Sequence, residues 1–189
     1  LFRSIDYLPD FRMYSSYVTG EITIHDLITH RCGLPVISGG TIWYGSDYSR
    51  QDLIYKMRYL KPASGFRSRY AYQNITFVVA AEIIEKVSGK TWDEFVHERI
   101  FSPLKMNRSS TSIKELANYE NIASPHIEHD GKVKAIPYTG YDNLGPAASI
   151  TTTVNDMTNY MRMFLDSGKF NDKELIKTAN WLELQKPQE

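Results

Sequence analysis

The sequence predicts a mainly α-helical lobe carrying one β-hairpin. Three observations predict it. Capping residues followed three positions later by an acid recur before apolar stretches, as Thr23 with Asp26, Thr91 with Glu94 and Thr153 with Asp156. The run from Ile75 to Val87 is apolar nearly all round for its first turns, which is the pattern of a buried helix. Two alternating runs flank Asp130-Gly131, the strongest short hairpin signal.

In chain order, residues 1–20 read as a surface segment. A short helix capped by Thr23 follows, with Ile24, Leu27 and Ile28 on one face, and stops at Gly33 and Pro35. Residues 38–47 are Gly-rich and aromatic and read as a loop. A helix is expected over Ser49 to Leu60 with Leu53, Ile54 and Met57 inward, then a loop from Pro62 to Tyr70. The central helix ends at Ser88-Gly89, and Thr91 opens the next, whose apolar residues are Trp92, Phe95, Val96 and Ile100. Ser112 with Glu115 starts a short turn, residues 121–136 form the hairpin, and residues 138–149 form a loop. Thr153 then caps an amphipathic helix to Asp166, and a last helix is expected over Thr178 to Gln185. Too few strands are present for a full sheet.

Composition narrows the function classes. The chain has 189 residues with 22 basic and 22 acidic side chains, so it carries no basic footprint for nucleic acid or an anionic membrane. A hydrophobic share of 42% is that of a globular protein. One cysteine, Cys32, excludes an intrachain disulfide and a multi-cysteine zinc site. No apolar run approaches the length of a membrane span. The chain opens without methionine on LFRSIDYLPDF, and is read as a single partial domain over residues 1–189, truncated at both ends.

The sharpest motif is Tyr72-x-Asn74, at the mouth of the buried helix. Two readings stand. In the first, Tyr72 packs and Asn74 caps the helix that starts at Ile75. In the second, the two side chains face one pocket. A phenol with a pKa of about 10 acts as a base at neutral pH only when cations or donors stabilise its anion. A nearby lysine would do so, and the base so made would take a proton from a serine hydroxyl.

The order of segments resembles the serine β-lactamase-like family, which groups class C β-lactamases, penicillin-binding-protein relatives and related esterases and peptidases. The segments are Ile22-Thr-Ile-His-Asp-Leu-Ile-Thr-His-Arg-Cys-Gly-Leu-Pro35, Tyr72-Gln-Asn74 with Val87-Ser-Gly89, Phe95-Val-His-Glu-Arg-Ile-Phe-Ser-Pro-Leu-Lys-Met106, and Pro146-Ala-Ala-Ser-Ile-Thr-Thr-Thr-Val-Asn-Asp-Met157. Each is modest; in this order over the whole chain they are specific. The resemblance implies the helical lobe and cleft edge of an α+β β-lactamase/transpeptidase-like fold. It implies a bacterial serine hydrolase, periplasmic or secreted, that works through an acyl-enzyme. It also implies three motifs, S-x-x-K, Y-x-N and K/H-x-G. Tyr72 would be the base or proton shuttle, Asn74 would bond the substrate or the lysine, and Gly145, Pro146 and Ala147 would line the substrate. The other two motifs are expected outside this chain, which is therefore expected to be inactive alone. The alternative is a non-catalytic binding or interaction protein on the same scaffold.

Departures and mimics complete the reading. Cys32, Lys105, Ala148 and Ser149 replace residues usual in the family. Arg67 and Arg69 are read as solvated charges, with attraction of a substrate carboxylate as the alternative. Ser102-Pro-Leu-Lys105 and His129-Asp-Gly131 match the outer motifs literally but stand at a turn after Y-x-N and on the hairpin. His126 and His129 would point to opposite strand faces, so no metal is expected, and no cofactor. His25 and His30 are read as structural. The expected partner is a small molecule or peptide with an amide or ester carbonyl. The choice among β-lactam, D-peptide and ester lies in cleft loops rather than motifs.

Overall fold

Short helices pinned by capping boxes gather around one long helix. The computed structural model describes residues 2–188. The helices are α1 (Ser4–Tyr7), α2 (Ser16–Glu21), α3 (Ile24–Ile28), α4 (Gly40–Trp43), α5 (Arg50–Lys56), α6 (Ile75–Ser88), α7 (Trp92–Val96), α8 (Gly145–Ala148), α9 (Val154–Leu165) and α10 (Thr178–Gln185). A 3-10 turn (Met57–Tyr59) extends α5, and a π turn (His97–Phe101) extends α7. Two further 3-10 stretches cover Ile113–Asn118 and Asp142–Leu144. The strands are β1 (His126–His129), β2 (Lys132–Ala135), β3 (Lys169–Phe170) and β4 (Lys173–Glu174).

The surroundings of helix α6 explain why its first turns are apolar nearly all round. Ile75, Val78, Val79 and Ile83 belong to one cluster with Leu27, Leu34, Leu53, Met57 and Leu144. Ala81 belongs to a second, with Trp92, Phe101, Leu104, Met163 and Phe170. The helix is therefore covered by the first half of the chain on one side and by α7, α9 and β3 on the other. Each large apolar side chain so removed from water contributes roughly 1.5–3 kcal/mol.

The capping pairs predicted at Thr23 and Thr91 form, and Ser49 makes a third that the sequence reading did not name: each accepts from the backbone N–H three residues on, and Asp26, Glu94 and Asp52 reach back to the cap. At α9 only half of the box forms. Thr153 accepts from the Asp156 N–H, but the Asp156 carboxylate turns to the Arg108 N–H and the Ser109 hydroxyl, both at 2.8 Å. It ties α9 to the turn after α7 instead of closing its own cap.

Several loop expectations are corrected. Residues 1–20 are no surface segment: Leu8, Phe11 and Met13 are buried in the first cluster, because the bridge between Arg3 and Thr23 folds this segment on to the body. Helix α4 lies within residues 38–47, and a 3-10 turn and α8 lie within 138–149. The helix expected from Ser49 keeps its α geometry only to Lys56 before tightening. Asn74 does not cap α6 with its side chain. Its backbone is already helical, at φ −79° and ψ −41°, a conformation that does not aim the side chain at the first free N–H groups.

The hairpin β1–β2 pairs His129 with Lys132 across Asp130 and Gly131, both left-handed as a type I′ turn demands. All its residues are exposed, so it projects from the body. A second, smaller hairpin, β3–β4, escaped the sequence reading. Its turn, Asn171-Asp172, has φ of 49° and 61°, and its strands are too short to show alternation. Among the described residues no helix is long and apolar enough to cross a membrane.

The turn after helix α9 ends at Gly168, with φ of 91°, where the Leu175 and Ile176 N–H groups both bond its carbonyl. An added Cβ would press into the Ile176 carbonyl oxygen. Gly168→Ala is therefore expected to lower unfolding stability by about 3 kcal/mol, measured by urea denaturation; a loss below about 1 kcal/mol would show that this turn yields freely.

Candidate active site

Tyr72, Gln73 and Asn74 form a tight turn on to α6, held from both sides. The Tyr72 carbonyl accepts from the Ile37 N–H at 2.8 Å. The fully buried Gln73 donates its side-chain amide to the Pro35 carbonyl and its backbone N–H to His30 Nδ1, the latter at 3.1 Å. The Ala71 N–H bonds the His30 carbonyl at 2.9 Å. The motif is thus stitched to the Thr29–Ile37 connection, which the sequence showed only as a helix stop. Burying Gln73 turns its neighbours the other way. The Tyr72 ring is 42% exposed, with its centroid 4.8 Å from the His30 ring. Asn74 is half-buried, and among the described residues its side chain makes no hydrogen bond. The packing-and-capping reading of the pair therefore fails at Asn74.

The loop before Tyr72 is anchored by an ion pair. Arg67 donates to both Asp26 carboxylate oxygens, at 2.8 and 2.7 Å, and to the Glu21 carbonyl at 3.0 Å. Arg31 in turn donates to the Arg67 carbonyl at 2.7 Å. Burial opposes ionisation of Asp26, but the bonds from Arg67 and Thr23 outweigh it and hold the carboxyl below its ordinary range. Arg67 is thus neither a solvated charge nor a free docking group for a substrate carboxylate. Arg69 remains exposed.

Gly145, Pro146 and Ala147 form α8, which packs on α6, so the two sets of predicted site residues share that helix. Gly145 is buried, and Pro146 and Ala147 are half-buried. Their placement depends on Arg50, at the start of α5. Its guanidinium donates to the Asp142 carbonyl at 3.1 and 3.2 Å and grips both oxygens of Asp93 at 2.7 and 3.2 Å. It lies 3.8 Å from Glu85 and over the Trp92 ring. A Cβ on Gly145 would come within 2.5 Å of this guanidinium. Asn143 adds bonds to the Trp43 and Ser46 carbonyls, at 3.1 and 3.3 Å, and Tyr141 packs on the Trp43 and Tyr44 rings. No sequence signal marked Arg50, because a basic residue at an N-terminal helix position reads as surface.

A family model described as Beta-lactamase matches residues 5–188. The chain belongs to the beta-lactamase family. Its relatives include an unguisins hydrolase of the fungus Aspergillus campestris, 32% identical over 161 residues, which are 82% of this chain and 30% of that protein. Penicillin-binding protein 4 of Amycolatopsis lactamdurans is 25% identical over 187 residues, 94% of this chain and 47% of its own. A D-stereospecific amidohydrolase from Streptomyces superposes with a TM-score of 0.76 at 19% identity, over 97% of this chain and 56% of its own. That likeness shows the fold: a helical lobe of the beta-lactamase and penicillin-binding-protein kind. The chain thus spans less than half the length of these two sequence relatives. With a fungal protein among them, the matches do not confine the family to bacteria.

Within this family member the motif mimics stand apart from the Tyr72 turn. Ser102 and Lys105 close a hydrogen-bonded turn after the π turn, in which Lys105 is left-handed with φ of 55°. Ser102 Oγ contacts His97 Nδ1 at 3.4 Å. Both border a cavity of about 670 Å3 with Lys90, Asp93 and Glu98, against α7. His129 is exposed beside the hairpin turn. Cys32 is buried in the first core cluster, and burial pushes its thiol up, away from the thiolate a nucleophile needs.

Two energetic consequences are testable. Arg50→Met is expected to cost about 2–3 kcal/mol in thermal unfolding, because the partly buried Asp93 loses its partner. Gly145→Ala is expected to be more costly while Arg50 is present, the Ser149 hydroxyl being the other close neighbour, so the double variant should fall short of the summed losses by about 1 kcal/mol or more; strict additivity would break the link. For Asp26, a carboxyl held below its ordinary value contributes stability above about pH 4, and that stability disappears as the pH falls through the lowered native value. Asp26→Asn should cost about 1–2 kcal/mol at pH 7, Arg67 being half exposed, and the gap to wild type should close as the pH falls below the ordinary carboxylate value of about 4 and through the lowered native one.

Proposed function

We propose that this chain supplies the Tyr-x-Asn part of a serine hydrolase that cleaves amide or ester bonds through an acyl-enzyme. Residues 1–189 would be the helical lobe and cleft edge of that domain. The observation that carries the proposal is that Asn74 is spared from helix capping while Tyr72 stands half exposed beside it, on a turn immobilised from both sides. A side chain released from a structural task, two residues from a phenol, is arranged for an incoming group. The unguisins hydrolase supports the reaction class.

In the reaction, a serine Oγ attacks the substrate carbonyl carbon while Tyr72, as phenolate, takes the hydroxyl proton. Tyr72 then passes that proton to the leaving amine or alkoxide as the C–N or C–O bond breaks, leaving an acyl-serine. Water attacks the ester carbon while Tyr72 accepts one of its protons, and Tyr72 passes that proton to the serine Oγ as the C–Oγ bond breaks, which releases the carboxylic acid and restores the free serine. Asn74 bonds the substrate or the lysine beside the nucleophile, and α8 forms a wall of the cleft. No serine before Tyr72 in these 189 residues is followed three positions later by lysine, so the nucleophile is assigned to the longer protein.

The test uses the protein encoded by the complete gene beside the 189-residue chain, with nitrocefin, a p-nitrophenyl ester and a D-alanyl peptide as substrates. Tyr72→Phe should lower kcat of the longer protein by about 10²–10⁴-fold, and the 189-residue chain should show no turnover. Turnover by the short chain that Tyr72→Phe abolishes would place the nucleophile within it. A longer protein that a fluorophosphonate fails to label would be a binding protein on this scaffold.

A further inference from the structure

The imidazole of His30 is the part of the Tyr72 surroundings that the proposed reaction does not use. His30 occupies the left-handed region, with φ of 61°, where a non-glycine residue is held by its neighbours rather than by preference. Two of its hydrogen-bonding groups serve one segment. The carbonyl takes the Ala71 N–H at 2.9 Å, and Nδ1 takes the Gln73 N–H at 3.1 Å, so the residue brackets Tyr72 on both sides. Its ring packs against three others: Tyr72 at 4.8 Å, Tyr70 at 5.3 Å and Phe77, on α6, at 5.4 Å. A backbone N–H can only donate. Nδ1 must therefore carry a lone pair, and the neutral ring keeps its proton on Nε2.

We propose that neutral His30 is the positioning residue of the Tyr72-Gln73-Asn74 turn, and that protonation of its Nδ1 releases the turn. A proton on Nδ1 would set two N–H groups against each other, removing the bond that fixes the peptide between Tyr72 and Asn74. No new partner compensates among the groups that face the ring. Those from the preceding loop are the Tyr70 and Tyr72 phenols, and α6 presents the uncharged Phe77. On its own segment, Arg31 is turned to the Arg67 carbonyl, and Arg67 is bound to Asp26. Burial pushes the His30 pKa below the usual histidine value. The sign follows: a base whose native pKa is lowered is fully accommodated above the ordinary value of about 6.5, and the turn loses support as the pH falls towards the lowered one. The consequence for catalysis rests on the assignment of Tyr72 above; the structural consequence does not.

The experiment is NMR on the 189-residue chain. At pH 7.5 the His30 ring nitrogens should report the Nε2–H tautomer. The amide protection factor of Gln73 should drop by about tenfold or more between pH 7.5 and pH 5, while that of Val79, inside α6, holds. His30→Asn is the decisive variant. Asparagine tolerates a positive φ and offers an oxygen where Nδ1 stands, but it does not titrate, so Gln73 should stay protected across the range. His30→Ala should lose the protection at every pH. An Nδ1–H tautomer, an unchanged Gln73 protection factor at pH 5, or a fall of the same size in His30→Asn would each overturn the proposal. In the longer protein, kcat should fall on the acid side with the same midpoint, and His30→Asn should remove that limb. If Tyr72→Phe leaves kcat intact while Gln73 protection still follows His30, the catalytic reading fails and the positioning role stands.

Discussion

A helix that is apolar nearly all round for its first turns has to be covered from more than one side, and the covering of α6 arranges this molecule. The first half of the chain wraps one flank, and α7, α9 and β3 close the other. Two short segments are fixed as a by-product: the Tyr72 turn, which is the entry to α6, and α8, which lies along it. Bringing the predicted site residues on to one helix follows from burying apolar surface. The side chains at the predicted site need supply little of that energy, which leaves Asn74 unused by the fold.

Polar groups then set position where apolar contact sets proximity. Hydrophobic burial is non-directional, so it cannot choose the angle at which a turn presents its side chains. Directed bonds do that here. Arg50 reads two carboxylate oxygens and one carbonyl at once, and so fixes α5, α7 and the approach to α8 relative to each other. Asp26 serves twice, closing the cap of α3 and holding Arg67. His30 and Gln73 complete the set around Tyr72. Apart from the local cap of α3, these bonds span from 38 to 92 residues in sequence.

Much of the fold was legible because it rests on local rules. The boxes at Thr23 and Thr91 depend on three-residue spacing, and the β1–β2 turn depends on Asp130-Gly131. The failures share a cause. Leu8, Phe11 and Met13 are buried by a segment folding back through the Arg3–Thr23 bridge, which no local pattern encodes. The β3–β4 hairpin is too short for periodicity. Asp156 looked like a cap partner and is instead a long-range acceptor.

The sequence by itself determined the secondary structure at most helix starts, the family, and the residue types at Tyr72, Asn74 and Gly145 to Ala147. These follow from spacing and order along the chain, which short-range sterics and hydrogen bonding turn into structure. Only the tertiary structure decided what those residues are free to do. It took Asn74 out of the capping role, engaged Arg67 with Asp26, buried Cys32 and set His30 against the Gln73 amide. The reason is physical: a side chain's availability depends on which distant donors and acceptors reach it first, and those distances exist only once the chain has folded.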